Sequence, residues 1–251
     1  MKPDYATALV TGASRGIGAA ICRALVAEGL AVHALARDGA ALDALAAELG
    51  PNLRPLECDV MDSAAIMDRV PGLDVDVLVN NAGGVGSVRP LWEQEAAETA
   101  RTIALNLTAP LQLTQAVLPG MIARGRGHVV NLCSIAGQGA LAGTTVYGAA
   151  KAGLAQAGRA LRYDLAGRNI RVTDISPGRV ETEFYLSAFG GDAGTLKDRM
   201  YTRQRPLLAE DIAAVVLAAL HMPARANITE LTISPTDQAL GGHVYPDRDP
   251  A

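Results

Sequence analysis

Ala8-Leu9-Val10-Thr11-Gly12-Ala13-Ser14-Arg15-Gly16-Ile17-Gly18 joins a short apolar run to a glycine-rich turn. Ala8 to Thr11 reads as a buried strand, and apolar residues at helical spacing follow over about 17–28. Glycines in a strand-to-helix turn let backbone approach a pyrophosphate closely, and the helix start offers N–H groups without intrahelical partners. The spacing is G-x-x-x-G-x-G, not the G-x-G-x-x-G of the usual dinucleotide fingerprint. Taken alone it fits an ordinary tight turn equally well; its place between a first strand and a helix favours a ligand.

Working outward, the same alternation continues along the chain. Strands are expected at 31–36, 53–58, 75–80, 128–133, 170–175 and 230–233. Pro55 weakens the third of these, because proline cannot donate to a sheet ladder. Leu42, Leu45 and Leu49 mark one helix, Asp62 caps a short one, and a late helix spans about 210–221. A long helix is expected near 98–124, with Pro110 and Pro119 as kinks. Strands alternating with helices predict an α/β fold, a single Rossmann-type doubly wound parallel sheet with helices on both faces. No repeat or linker divides the 251 residues, so one dinucleotide-binding and catalytic domain over 1–251 is expected.

Composition narrows the function. With 22 Lys and Arg against 26 Asp and Glu, the formal net charge is −4, which argues against general affinity for nucleic acid or anionic membranes. No apolar run reaches the roughly 18 residues of a membrane span. Met1 to Tyr5 leads almost directly into a strand and leaves no room for a signal peptide, so a cytoplasmic protein is expected. Cys22, Cys58 and Cys133 are widely spaced and read as reduced, buried thiols. His33, His128, His221 and His243 lack metal-ligand spacing and read as structural or exposed, so no metal site is expected.

Chemistry enters at Val146-Tyr147-Gly148-Ala149-Ala150-Lys151, with Ser134 thirteen positions before the tyrosine. Residues four apart share one face of a helix, so phenol and ammonium can meet at one site. A tyrosine ordinarily titrates near 10. A positive charge at ~4 Å, worth roughly 4 kcal/mol at an effective dielectric of ~20, could bring it to about 7, where a general acid/base works. The bland alternative is an exposed helical pair worth little. At the end of the second strand stands Ala36-Arg37-Asp38. Asp38 is the candidate by count for a ribose 2′-hydroxyl. By strand position Arg37 leads the loop instead, and with Arg15 it suits a 2′-phosphate. The balance favours NADP over NAD.

These motifs, with Asn80-Asn81-Ala82-Gly83, Asn106 and Pro177-Gly178, closely resemble the short-chain dehydrogenase/reductase family along nearly the whole chain. The resemblance implies that Tyr147 exchanges a proton with the substrate oxygen and Ser134 hydrogen-bonds it. Lys151 would hold the nicotinamide ribose, and Asn106 would support a water-linked proton relay. It further implies cofactor contacts from Gly12, Ser14, Arg15, Gly16, Ile17, Gly18 and Arg37, from Asp59 and Val60 beside the adenine, and from Asn81, Ala82 and Gly83. Pro177, Gly178, Val180 and Thr182 complete the cofactor set. Family members are commonly tetramers, so a homotetramer or homodimer is expected, with the 98–124 helix and the Tyr147 helix as interface faces.

The C-terminal third resembles a narrower subgroup, the NADP-dependent 3-hydroxy acid (serine-type) dehydrogenases, through Glu181-Thr182-Glu183-Phe184, Gly191-Asp192, Glu210-Asp211-Ile212 and Pro235-Thr236. It departs from that pattern at 186–190, which lacks basic residues beside Gly191. A carboxylate substrate in a partly buried site needs a charge partner. Arg179 and Arg89 are the candidates, with a surface arginine as the bland alternative for each. Three readings result: an oxidoreductase for a short polar 3-hydroxy acid or related carbonyl, a reductase of a neutral ketone, aldehyde or 3-oxoacyl-type substrate, and a non-catalytic NADP-binding sensor or scaffold.

Overall fold

The structure, a computed structural model, describes residues 5–184, 186, 191, 192, 194 and 205–238. Its strands are β1 (Thr7–Thr11), β2 (Ala31–Ala36), β3 (Leu53–Glu57), β4 (Val77–Asn80), β5 (Gly127–Leu132), β6 (Ile170–Pro177) and β7 (Glu230–Ile233). They form one seven-stranded sheet in the order β3-β2-β1-β4-β5-β6-β7, parallel at every pairing. The chain starts at the centre, winds out to β3, then crosses to β4 and winds the other way. The reversal opens a crevice between the C-terminal ends of β1 and β4, where ligands of such sheets bind. Central strands are buried on both faces, which is why β4 and β5 read as continuous apolar runs rather than alternating ones.

Helices α1 (Gly16–Ala27), α2 (Gly39–Leu49) and α7 (Ala209–Leu220) bury Ile21, Leu25, Leu42, Leu45, Ile212 and Val216 against one face. On the other face, α3 (Ser63–Arg69) and α5 (Ala109–Arg124) bury Ile66, Leu113 and Val117, and α6 (Thr145–Asp164) packs beside them through Leu161. Asp62 caps α3 as expected, accepting from the Ala65 N–H at 3.0 Å. Pro55 is tolerated because β3 lies at the edge of the sheet. All three cysteines are buried thiols without disulfides.

The expected long helix differs in its middle. It begins as α4 (Ala96–Ile103), widens into a π-turn at Ala104–Thr108 and resumes as α5. Pro110 sits at the start of α5, where a missing N–H is harmless. In an α-helix that N–H would have bonded the Asn106 carbonyl, so the wider turn accompanies the missing donor.

Four polar residues lie in register across neighbouring strands: Asn80, Asn131, Asp174 and Glu230. Asn80 donates to Asn131 at 2.9 Å and Asn131 to Asp174 at 2.8 Å. Arg162 of α6 bonds both Asp174 (2.9 Å) and Glu230 (3.1 Å), while Arg159 clasps Glu230 at 2.8 Å. Burial pushes the Asp174 carboxyl up, against the pull of Asn131 and Arg162. The row fixes α6 on the sheet, and α6 carries Tyr147 and Lys151.

At the opposite end of the sheet His128 is buried, its Nε2 2.8 Å from Thr173 Oγ1. Burial first, then the nearby Arg171 guanidinium, push its pKa down from 6.5 to about 3. The folded protein therefore holds His128 neutral where the unfolded chain takes up a proton. Stability from this group is present above pH 6.5 and is lost as pH falls toward 3, by at most about 1.4 kcal/mol per pH unit. In urea titrations His128→Gln should lose stability less steeply than wild type over that window. Parallel curves would contradict the assignment.

Among the described residues no helix is long and apolar enough to cross a membrane, and no group of three or more His, Cys, Asp or Glu could hold a metal ion. His221 pairs with Glu28 at 3.1 Å, and His33 is half-buried with its pKa lowered, by burial and then by Arg54. His243 lies outside the described residues.

Candidate active site

The crevice is fastened by Thr11. Its hydroxyl donates to the Val79 carbonyl at 3.2 Å and accepts from the Asn81 and Ala82 N–H groups at 3.0 and 2.9 Å. The Asn81 side chain returns to the Thr11 carbonyl at 2.8 Å, so the ends of β1 and β4 are tied together. The glycine turn lies directly on this tie. Gly12 has φ +64°, and a Cβ there would stand 3.0 Å from both Ala82 Cα and Asn81 Nδ2. A Cβ on Gly18 would collide with the Gly12 carbonyl oxygen, so only glycine lets the first turn of α1 close onto the loop.

Arg15 is the N-cap of α1, and its side chain makes no cap hydrogen bond. The first turn of α1 thus takes no hydrogen bond from its N-cap side chain, which suits a helix start that receives an anionic diphosphate. Arg15 and Arg37 stand exposed at one rim, whereas Ser14 and Ile17 are half-buried within the turn. Asp38 caps α2, its Oδ1 accepting from the Ala41 N–H at 3.0 Å. Arg37 follows β2 and lies 3.9 Å from Asp59. The Asp59 carboxylate also accepts from the Met61 N–H at 3.0 Å. Val60 and Val180 bury their side chains in the core, which leaves backbone for any contact with a ligand.

Tyr147 and Lys151 share one face of α6, Asn106 and Lys151 both come against Gly83, and Ser134 follows the end of β5. Ser134 Oγ accepts from the Ala136 N–H at 3.1 Å, which starts a 3₁₀ turn and leaves its own O–H to donate. That cap is compatible with a second role for the hydroxyl. Tyr147 is buried and packs with Val85, Ala136, Leu141 and Phe184, its ring 5.9 Å from that of Phe184. Lys151 Nζ lies 5.8 Å from the Tyr147 ring centre and donates to the Leu132 carbonyl at 2.7 Å. Two of its three N–H donors remain for other acceptors. Burial pushes its pKa down from 10.5 to about 8, opposed by neighbouring Cys133.

Asn106 is fully buried at the π-turn. Its side chain donates to the Gly84 and Thr102 carbonyls at 2.8 and 2.9 Å and accepts from the Gly84 N–H at 3.2 Å. That amide is spent on holding the Gly83-Gly84 segment, so a relay at this residue has to run through its backbone carbonyl. A Cβ on Gly83 would lie 2.8 Å from Asn106 Oδ1 and 3.4 Å from Lys151 Nζ, which brings β4's extension against both.

Beyond β6, Gly178 and Arg179 are held by Gln238, whose Oε1 accepts from the Arg179 N–H at 2.8 Å. The Arg179 carbonyl accepts from Leu207 and the Glu181 N–H donates back to Leu207, at 2.9 and 2.8 Å. Pro177 is buried at the end of β6, and Thr182 lies beside Gly16. Arg89 is exposed, and its backbone packs against Gly143 just before α6. Of the 186–190 stretch, only Leu186 is among the described residues. Sequence reasoning missed Gln238 and the apolar wall of Val85, Leu141 and Phe184, because both depend on contacts between distant segments.

Comparison with known proteins follows this geometry. The short chain dehydrogenase family profile matches residues 6–189. An uncharacterized short-chain type dehydrogenase/reductase, y4eK, of Sinorhizobium fredii is 39% identical over 238 residues, covering 95% of this chain and 94% of its own. The NADP-dependent 3-hydroxy acid dehydrogenase YdfG of Salmonella typhi is 40% identical over 240 residues, covering 93% and 96%. The closed form of a serine dehydrogenase complexed with NADP+ superposes with TM-score 0.91 at 37% identity, covering 96% of this chain and all of that one.

Proposed function

The chain belongs to the short chain dehydrogenase family, and from that premise we propose that it is an NADP(H)-dependent oxidoreductase interconverting an alcohol and a carbonyl. The observation that carries this reading is the buried Tyr147–Lys151 pair on α6, with Lys151 bonded to the end of β5 just before Ser134. The glycine turn and the bare start of α1 would hold the diphosphate, Asp59 and the Val60 backbone would face the adenine, and Arg15 with Arg37 suits a 2′-phosphate. Asn81, Ala82, Gly83, Pro177, Gly178, Val180 and Thr182 would line the remainder. Bound NADP(H) supplies the hydride in one direction and accepts it in the other.

In reduction the Tyr147 hydroxyl gives its proton to the substrate oxygen as charge develops there, and the Ser134 O–H donates to the same oxygen. Lys151 keeps positive charge beside the phenol and offers its two remaining donors to the nicotinamide ribose. The Asn106 backbone carbonyl can accept from a water that hands protons on from Lys151. Oxidation runs the same transfers backward. The chain works as one dinucleotide-binding and catalytic domain, in the cytoplasm, as a homotetramer or homodimer through α5 and α6.

For the substrate we favour a short polar 3-hydroxy acid, in keeping with the named activity of the Salmonella relative. Arg179 would anchor its carboxylate, with Arg89 as the second candidate. The apolar wall beside Tyr147 favours instead a neutral ketone or aldehyde. Turnover of 3-hydroxy acids, neutral secondary alcohols and their carbonyls with NADP(H) and NAD(H) decides between them. On the first reading Arg179→Ala raises KM for the acid about tenfold or more and barely moves a neutral alcohol. Equal effects on both would remove the anchor, and no turnover with any of them would favour a sensor or scaffold.

A further inference from the structure

Three consecutive residues after β6 each reach a different part of the cleft. Thr182 Cγ2 lies 3.5 Å from where a Cβ of Gly16 would project. Glu183 Oε2 lies 3.3 Å from Arg15 Nη1. The Phe184 ring stands 5.9 Å from Tyr147. This tripeptide therefore crosses from the glycine turn to the catalytic tyrosine, and its middle residue puts a carboxylate on one of the two guanidiniums suited to a phosphate.

Both of those guanidiniums have an acidic neighbour, but the two pairs differ. Asp59, beside Arg37, is also bonded to the Met61 N–H and is held at 3.9 Å from the guanidinium. Glu183 approaches Arg15 more closely, and both side chains are largely in solvent, 74% exposed for Arg15 and 63% for Glu183. An ion pair of that kind is weak, and a phosphate carrying between one and two charges can take its place. A ligand without the phosphate gains nothing by separating it.

We propose that Glu183 is a specificity-determining residue for the cofactor, an internal counter-ion on Arg15 that the 2′-phosphate of NADP(H) has to displace. The inference rests on the cofactor reading given above. Glu183 then lowers affinity for NADP(H) more than for NAD(H), so it narrows the discrimination that Arg15 provides. The same displacement frees the residue between Thr182 and Phe184, so the phosphate end and the wall beside Tyr147 are connected through it.

The test is calorimetric titration of NADP+ and NAD+ into wild type, Glu183→Gln, Arg15→Gln and the double variant, at low and high salt. Glu183→Gln should tighten NADP+ about two- to fivefold, the scale of an exposed ion pair, and change NAD+ less. The gain should disappear in the Arg15→Gln background and shrink at high salt. Weaker or unchanged NADP+ binding in Glu183→Gln overturns the inference. So does a gain that survives Arg15→Gln, because general repulsion would then account for it. If wild type binds neither dinucleotide, the cofactor reading itself fails. If it binds NADP+ with no effect of Glu183, only this inference fails.

Discussion

Tyr147→Phe is expected to lower kcat by about a thousandfold or more while NADPH binding stays within about twofold of wild type. The substitution deletes one hydroxyl and keeps the ring that packs against Val85, Ala136, Leu141 and Phe184. Thermal melting separates any change in stability from the loss of turnover. In the proposed mechanism the hydroxyl exchanges a proton with the substrate oxygen, and general acid/base groups are typically worth 10²–10⁴-fold, about 3–5 kcal/mol of barrier. Among the described residues the other polar groups have roles of their own. The Ser134 O–H is assigned to hydrogen-bonding the same substrate oxygen, and the two remaining Lys151 donors to the ribose. Steady-state rates together with a fluorescence titration of NADPH separate the alternatives. Retained turnover would remove Tyr147 from the chemistry. Loss of NADPH binding along with turnover would mean that the hydroxyl matters to the cofactor cleft, not to proton transfer alone.

The alternation of strands and helices, the glycine turn and the Tyr147–Lys151 pair were legible in the sequence because each depends on local spacing. Periodicity distinguishes strand from helix within a dozen residues, and the i, i+4 relation needs only a helix. Boundaries moved by one or two residues, as at β4 and β6, where hydrogen-bonding partners rather than composition decide the end. The π-turn was not legible, since Ala104–Thr108 has the composition of any helix. Pro110 signalled a disturbance there but not its form. The row from Asn80 to Glu230 requires the strand register, and four residues spread over 150 positions carry no common local signal. Asp38 shows what counting leaves out: its distance from the glycines gives no sign that it also caps α2. Charge partners were the least legible of all. Arg15–Glu183 joins segments far apart in sequence, and only folding brings them to the same rim.

Lys151→Met should lower kcat by about a hundredfold or more and, below pH 8, leave the folded protein as stable as wild type or more so. The two effects have one origin. Lys151 is buried, and its pKa falls from 10.5 to about 8 because water no longer solvates the ammonium. Between those values the unfolded chain holds the proton more tightly than the folded protein does. The lysine therefore opposes folding most below pH 8, by about 3 kcal/mol, and this penalty fades as pH rises toward 10.5. Its bond to the Leu132 carbonyl offsets part of the penalty, on the order of 1–3 kcal/mol for a charged donor. Methionine fills similar space without a charge, so the variant escapes the penalty but loses the bond. In urea titrations the stability of Lys151→Met relative to wild type should thus decline as pH rises from 7 to 10. A difference independent of pH would mean that the lysine keeps its ordinary pKa when folded. In the proposed mechanism the catalytic loss follows because the same buried charge, 5.8 Å from the Tyr147 ring centre, is the one that assists proton transfer there. In wild type that support should itself weaken as the cofactor-free protein is taken above pH 8.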